Sequence, residues 1–406
     1  MKSLFSENMK KFEGYAIGKT LAYLGDPKII SFAGGLPSGD VFPLDLIRKA
    51  AEKSLNKNWK SVLQYTPVSG EKDLIQAIVN FLKRDHIHVD AENIVITTSG
   101  QNGLDLVGRL FLDSGDFIVI DLPTFAGAIT AFEMEAPQFL ARDIEEDGSD
   151  IDGMEALIKD ALSRGKKPKF IYVVPDFQNP SGITMSLEKR KALLELGKNY
   201  GIPIVEDSPY RELRYKGEDL PSIYSLDKNE GNVIGLYTFS KILCPGLRVG
   251  FNIGPPEVIE KFSFIKGANI LNTPKLNQDI CTLFLNEADL DAHFGKAVNY
   301  YRDKLNFFLD ALEEHFPQDM GITWTKPEGG LFLWITLPEF INTMDLFYKA
   351  VEEKVAFVPS EVFYPKNLCQ YNSMRINFSF PSKEQIVEGI KRLSSVIKKA
   401  YTDKKG

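Results

Sequence analysis

The chain has 406 residues, 44% of them hydrophobic and 25% charged, the balance of a soluble globular protein long enough for two or three domains. With 48 Lys and Arg against 55 Asp and Glu, its net charge of −7 argues against a nucleic acid or an anionic membrane as the partner of its surface. Three cysteines, Cys244, Cys281 and Cys369, are too few and too scattered for a disulfide framework or a zinc site, and they fit a reducing compartment.

The opening MKSLFSENMKKFEGYAIG lacks the apolar core of a signal peptide. No run approaches the roughly 18 apolar residues of a transmembrane helix, so a cytoplasmic location and no membrane partner are expected. Residues 1–30 read as an arm and a helix, and IISFAGGLPSGDVFP, residues 29–43, as a Gly/Pro-rich connection. LDLIRKAAEKSLNKN and EKDLIQAIVNFLKRD space their apolar residues as helices do, with VLQYTPVSG a loop between them. Strands and helices then alternate. NIVITTSG is a strand ending in a glycine turn, QNGLDLVGRLFLD a helix, DFIVIDLPTF a strand and IDGMEALIKDALSRG a helix. KFIYVVPDFQNPSG is a strand that breaks at NPSG. SLEKRKALLELGKNYG is a helix with its N-cap at Ser186 and Gly201 after its end. IPIVEDSPY and VIGLYTFSK are strands again. This alternation predicts a mostly parallel sheet with helices on both faces. Beyond about residue 255 the texture changes. Residues 275–315 read as long helices, followed by short strands in ITWTKPEGGLFLWITL, VAFVPS and MRINFSF and by a closing helix, KEQIVEGIKRLSSVIKKAY. That order predicts a smaller α+β domain.

Open α/β sheets bind ligands at the carboxyl ends of their strands. After NIVITTS come Gly100 and Gln101, opening a helix; after KFIYVV, Asn179 and Pro180; after IPIVE, Asp207 and Tyr210; after VIGLYTF, Ser240 and Lys241. Backbone N–H groups at a helix start form an anion site. Thr238 and Ser240 add hydroxyls, and Arg248 adds a planar, permanent cation suited to phosphate. A lysine in that company is a candidate for Schiff-base formation. An aspartate at a strand end can keep a pyridinium nitrogen protonated, which makes the ring an electron sink. A phenol and an amide can both bond a ring oxygen. The inventory matches pyridoxal phosphate. His86 and His88 in DHIHVD have no nearby partner in sequence and read as surface residues, so no metal site is expected.

Taken in order, SFAGGLP, QYTPVSG, QNPSG, EDSPYREL, TFSKILCPGLRVGF, PEGGLFLWI and MRINFSF resemble the class I aminotransferases of the fold-type-I pyridoxal-phosphate enzymes, over nearly the whole chain. FAGGLP, LQYTP and VAFVPS look most like the 2-aminoadipate and multisubstrate aminotransferases. The resemblance implies a fold-type-I α/β transferase with a mostly parallel, seven-stranded-type sheet. It divides the chain into residues 1–45, an arm and connection packing with the small domain, 46–275, a large cofactor-binding α/β domain, and 276–406, a small α+β domain. The implied reaction moves the amino group of an L-α-amino acid (2-aminoadipate, aromatic or branched aliphatic) to 2-oxoglutarate by a ping-pong mechanism.

Carried over by position, Lys241 would bind pyridoxal 5′-phosphate covalently and then shuttle the proton. Asp207 would pair with the pyridinium nitrogen, and Asn179 and Tyr210 would contact the ring oxygen. Gly100, Gln101, Thr238, Ser240 and Arg248 would hold the phosphate. Phe125, in LPTFAGA, would stack on the ring where the family usually has tyrosine. Arg375 would clamp the substrate α-carboxylate with help from Asn179 and the Gly35 backbone. Tyr65 would reach the phosphate of a neighbouring subunit, implying a homodimer with shared active sites. In aminoadipate-type members a basic residue on the N-terminal helix can read a distal carboxylate; in YAIGKTLAYLG the one strong cation is Lys19, and whether it or another N-terminal residue does so here is left open. The same cofactor and fold also serve lyases and decarboxylases. No G-x-G-x-x-G follows the first strand, which disfavours a nicotinamide dehydrogenase. The segment before SFAGG is short and weakly basic, which disfavours a DNA-binding regulator.

Overall fold

A computed structural model describes residues 4–12 and 26–405; Lys19 lies outside the described residues. The described chain begins with a short helix, α1 (Glu7–Lys11), a two-residue strand, β1 (Ile30–Ser31), and helices α2 (Leu44–Val62) and α3 (Lys72–Leu82). Strands and helices then alternate: β2 (Ile94–Thr97), α4 (Gly100–Phe111), β3 (Phe117–Leu122), α5 (Ala126–Glu133), β4 (Gln138–Asp143), α6 (Ile151–Ser163), β5 (Ile171–Val173), α7 (Leu187–Tyr200), β6 (Ile204–Asp207), α8 (Ile223–Asp227), β7 (Val233–Thr238) and β8 (Gly250–Ile253). These strands form one seven-stranded sheet in the order β2-β8-β7-β6-β5-β3-β4. Every pairing is parallel except those of β8, which runs antiparallel to both β2 and β7. The connection from Thr238 back to Gly250 is too short for a crossover, so the chain reverses direction.

The remaining elements are α9 (Pro256–Asn269), α10 (Lys275–Glu287), α11 (Leu290–His315), β9 (Thr323–Trp324), β10 (Phe332–Thr336), α12 (Thr343–Glu352), β11 (Val355–Ala356), β12 (Val358–Pro359), β13 (Ser373–Asn377) and α13 (Lys383–Lys405). Four of them pair as an antiparallel sheet, β12-β13-β10-β9, while β1 pairs in parallel with β11. Helix α10 packs on α2 and α3, and α11 on α13. Among the described residues no helix is long and apolar enough to cross a membrane.

The expected strand–helix alternation is present, and seven elements went unread in the sequence. Helix α5, AGAITAFE, is small and apolar nearly all round because it is buried, so it carries no polar face to mark its period. Strand β4, QFLARD, is a half-exposed edge with no continuous apolar run. The others are β1, α8, β8, α9 and α12. Helix α7 begins and ends as its sequence indicates. The Ser186 hydroxyl accepts from the Lys189 N–H at 3.3 Å, and Gly201 takes a left-handed φ of 59°.

One buried ion pair fixes the loop after β5. The Arg190 guanidinium, wholly buried, meets Asp176 at 2.6 Å and donates its other N–H groups to the carbonyls of Met185, Pro175 and Pro221. Burial alone would raise the Asp176 carboxyl, yet Arg190, Arg211 and Arg214 together hold it below the usual range. Asp176 stands three residues before Asn179, so this pair sets where the loop can go. Removing one partner leaves the other charge buried alone, which costs about 3–5 kcal/mol. Asp176→Ala is therefore expected to lower the urea unfolding midpoint well beyond Ser186→Ala, whose lost cap costs about 1 kcal/mol. Equal effects would show that the pair does not anchor the loop.

Candidate active site

The carboxyl ends of β2, β5, β6 and β7 share one edge of the large sheet, where a cavity of about 300 Å³ opens. After β2 the chain turns at Ser99, whose φ of 89° is rarely adopted outside glycine, and enters α4 at Gly100 and Gln101. Both line the cavity, at a helix start whose N–H groups have no partner within the helix. Asn179 follows β5, Asp207 ends β6 with Tyr210 just after it, and Thr238, Ser240 and Lys241 follow β7; all line the same space. Arg248 returns to it from the far side of the loop, held by an Asn277 amide that donates to the Leu247 carbonyl at 2.8 Å. Phe125, Gly35 and Arg375 complete the wall. Tyr65 does not line the cavity and is 77% exposed.

The structure adds lining residues that the sequence did not single out: Leu36, Ser99, Leu104, Val174, Pro209 and Phe332. Phe332 lies under Arg375, with Cζ 4.3 Å from the ring centroid, and meets Tyr210 edge-on at 5.9 Å. Its position in PEGGLFLWI, just past two glycines, was the available signal. Gly127 was also missed. A Cβ there would come within 2.5 Å of the Phe125 ring and 2.4 Å of Gln101 Oε1. Only glycine lets the Phe125 ring sit where it does, while the Gln101 amide donates to the Gly127 carbonyl at 2.7 Å.

Lys241 Nζ donates to the Gly35 carbonyl at 2.8 Å. Burial, then the nearby Arg375 and Arg248 guanidiniums, lowers its amine to about 8. Burial pushes the Asp207 carboxyl up to about 7, against a hydrogen bond from the Tyr172 phenol. Arg375, 2% exposed, donates to Asn179 Oδ1 at 3.0 Å and to the Ala33 carbonyl at 2.7 Å. The Asn179 amide donates in turn to Tyr210 Oη at 3.4 Å. Thr238 Oγ1 accepts from the Ser240 N–H at 3.1 Å and donates to Ser240 Oγ at 2.9 Å. The set can therefore hold an anion on helix N–H groups, hydroxyls and Arg248. It can present a nucleophilic amine near neutral pH, and bind a carboxylate on a positioned guanidinium.

Comparison with known proteins bears on this arrangement. Residues 27–393 match the family model for "Aminotransferase class I and II". An aromatic-amino-acid aminotransferase of Thermococcus litoralis is 40% identical over 97% of this chain and 94% of its own length. A 2-aminoadipate transaminase of Thermus thermophilus is 36% identical over 97% of this chain and 96% of its own. Among solved structures, a kynurenine aminotransferase of Pyrococcus horikoshii in complex with PMP superposes with a TM-score of 0.93, at 38% identity over 98% of both chains.

The depressed amine gives a direct check. In the cofactor-free protein, Lys241 is expected to react with a trace acylating reagent along a curve that rises with pH through about 8, since only the neutral amine attacks. Peptide-level mass spectrometry reads that curve, and a midpoint at the ordinary lysine value of 10.5 would contradict the described environment.

Proposed function

The chain belongs to the class I and II aminotransferases, which depend on pyridoxal 5′-phosphate, and from that premise we propose that it passes the amino group of an L-α-amino acid to 2-oxoglutarate in two ping-pong half-reactions. The observation that carries this reading is the convergence of Lys241, Asp207 and Arg375 on one cavity. The residues suit the cofactor by their own chemistry. Gly100, Gln101, Thr238, Ser240 and Arg248 would hold a phosphate, Asp207 a ring nitrogen, Asn179 and Tyr210 a ring oxygen, and Phe125 a ring face. When bound, the cofactor supplies a carbonyl carbon for an amine and a sink for the electrons of a substrate Cα–H bond.

The rest falls to the chain. Arg375 would grip the substrate α-carboxylate as a two-pronged donor, with Asn179 holding the guanidinium in plane and Gly35 lying close by. That grip would orient the Cα–H bond toward Lys241 Nζ, which would take the proton from Cα and hold it for redelivery. With its amine lowered to about 8, Lys241 is neutral in an appreciable fraction of molecules at neutral pH and can act as base. Similarity to both an aromatic-amino-acid aminotransferase and a 2-aminoadipate transaminase supports a 2-aminoadipate or aromatic donor, and a branched aliphatic donor is proposed beside them.

A homodimer with shared sites belongs to the same reading. Trp59, Leu63 and Tyr65 are exposed at 57%, 68% and 77%, a concentration of apolar surface that suits burial against a second copy. There Tyr65 would reach the partner's phosphate site. The division at residues 45 and 275 is proposed likewise, with the pairing of β1 and β11 supporting an N-terminal segment that packs with the small domain. A cytoplasmic location is the address we infer.

An amino-donor screen with 2-oxoglutarate tests the whole. Supplied in turn with 2-aminoadipate, leucine, phenylalanine, tyrosine and kynurenine, the full chain is expected to yield the matching 2-oxo acid. Release of carbon dioxide or ammonia instead would turn the reading toward a decarboxylase or lyase. Lys241→Ala is expected to cost at least about a thousandfold in kcat. Arg375→Lys, which loses the two-pronged geometry, is expected to cost about tenfold to a hundredfold in kcat/KM.

A further inference from the structure

We propose that Tyr172, a strand residue outside the cavity lining, is the positioning residue that orients the Asp207 carboxylate and keeps it ionised for a cofactor ring nitrogen. This rests on the reading that Asp207 faces that nitrogen. Tyr172 sits on β5 and Asp207 on the adjacent β6, and the phenol donates to Asp207 Oδ2 at 2.8 Å with both groups buried. The ring is wholly buried and packs edge-on against Phe132 at 5.5 Å, so the hydroxyl has one place to go. With Oδ2 taken, Oδ1 is the oxygen left to meet a ligand. Asp207 lines the cavity, so that oxygen serves the site.

The device answers a physical conflict. An aspartate buried this deeply tends to take up a proton, and a protonated Asp207 could not hold a pyridinium. Burial does raise Asp207 to about 7, and the Tyr172 bond is the force acting against it. The reverse influence is visible on the phenol, which burial and then Asp207 push well above its ordinary value, so Tyr172 stays a donor throughout the working range. Tyr210 after β6 and Asp121 on β3 are the other titratable groups acting on Tyr172. Lys241 after β7, with Arg248 and Arg375, shares the cavity with Asp207.

The test uses the full chain carrying Lys241→Ala, which removes the covalent step and the lysine's own titration. Affinity for pyridoxal 5′-phosphate is measured by protein fluorescence from pH 5.5 to 9. In that background affinity is expected to fall as pH drops through about 7, where Asp207 protonates. Tyr172→Phe deletes one oxygen and keeps the ring packing. It is expected to move that midpoint up by about one unit, weakening binding about tenfold near pH 6.5 while leaving it nearly unchanged at pH 9. The cofactor's own ionisations are common to both proteins and cancel in the comparison. If Tyr172→Phe folds poorly, 3-fluorotyrosine at position 172, a stronger donor, is expected to move the midpoint down. An unmoved midpoint in either variant would overturn the proposal and leave Tyr172 a packing residue. Unchanged affinity across the pH range in Asp207→Asn would instead overturn the placement of the ring nitrogen on Asp207, and the Tyr172 proposal with it.

Discussion

The register of three parallel strands is the constraint on which the rest depends. Tyr172 on β5 pairs with Val205 on β6, and Asp207 at the end of β6 pairs with Leu236 on β7. Parallel pairing sends every one of these strands to the same edge, and successive side chains to opposite faces. A slip of one residue would turn Asp207 away from the cavity and put Glu206 in its place. The two acids of IVED show how sharply the faces differ. Glu206 is buried and accepts the N–H groups of Ile223 at 3.0 Å and Tyr224 at 2.8 Å, serving the start of α8. Its neighbour Asp207 serves the cavity. One dipeptide thus supplies a helix cap on one side and a functional group on the other.

Within the cavity the charges are interdependent. Lys241, Arg248 and Arg375 share a small volume with one carboxylate, and burial first, then the two guanidiniums, lowers the lysine that lies among them. The same positive field that suits the site to anions therefore adds to the burial that makes its amine reactive. The scaffold meets the cost of gathering these groups with hydrogen bonds on each: Gly35 for Lys241, Asn179 and Ala33 for Arg375, Tyr172 for Asp207.

Much of this was legible in the chain, for an identifiable reason. Gly100, Asn179, Asp207 and Lys241 each follow an apolar strand, and the rule about strand ends turns linear order into spatial convergence without any knowledge of distance. Arg375 and Phe125 were legible only through resemblance, because an arginine in a strand or a phenylalanine after one carries no local mark of function. Tyr172 and Gly127 were not legible at all. Tyr172 looks like any aromatic in KFIYVV, and its partner is 35 residues away in sequence. Gly127 matters only because of where the Phe125 ring lies. Among the elements, α5 and β4 escaped because burial erased the polar face of one and exposure broke the apolar run of the other. What sequence pattern conceals here is contact between residues of ordinary type.

Arg375 joins parts of the chain that are far apart in sequence: its two terminal nitrogens reach Asn179 and Ala33, 196 and 342 residues away. It stands on a strand in the middle of the small antiparallel sheet, and Asn179, Asp207 and Lys241 all precede it in the chain. Synthesis runs from the amino end, so a growing chain holds Lys241, Asp207 and Asn179 long before the guanidinium that Asn179 will carry has left the ribosome. The site is completed only once β13 has been made, and no fragment ending short of β13 contains it.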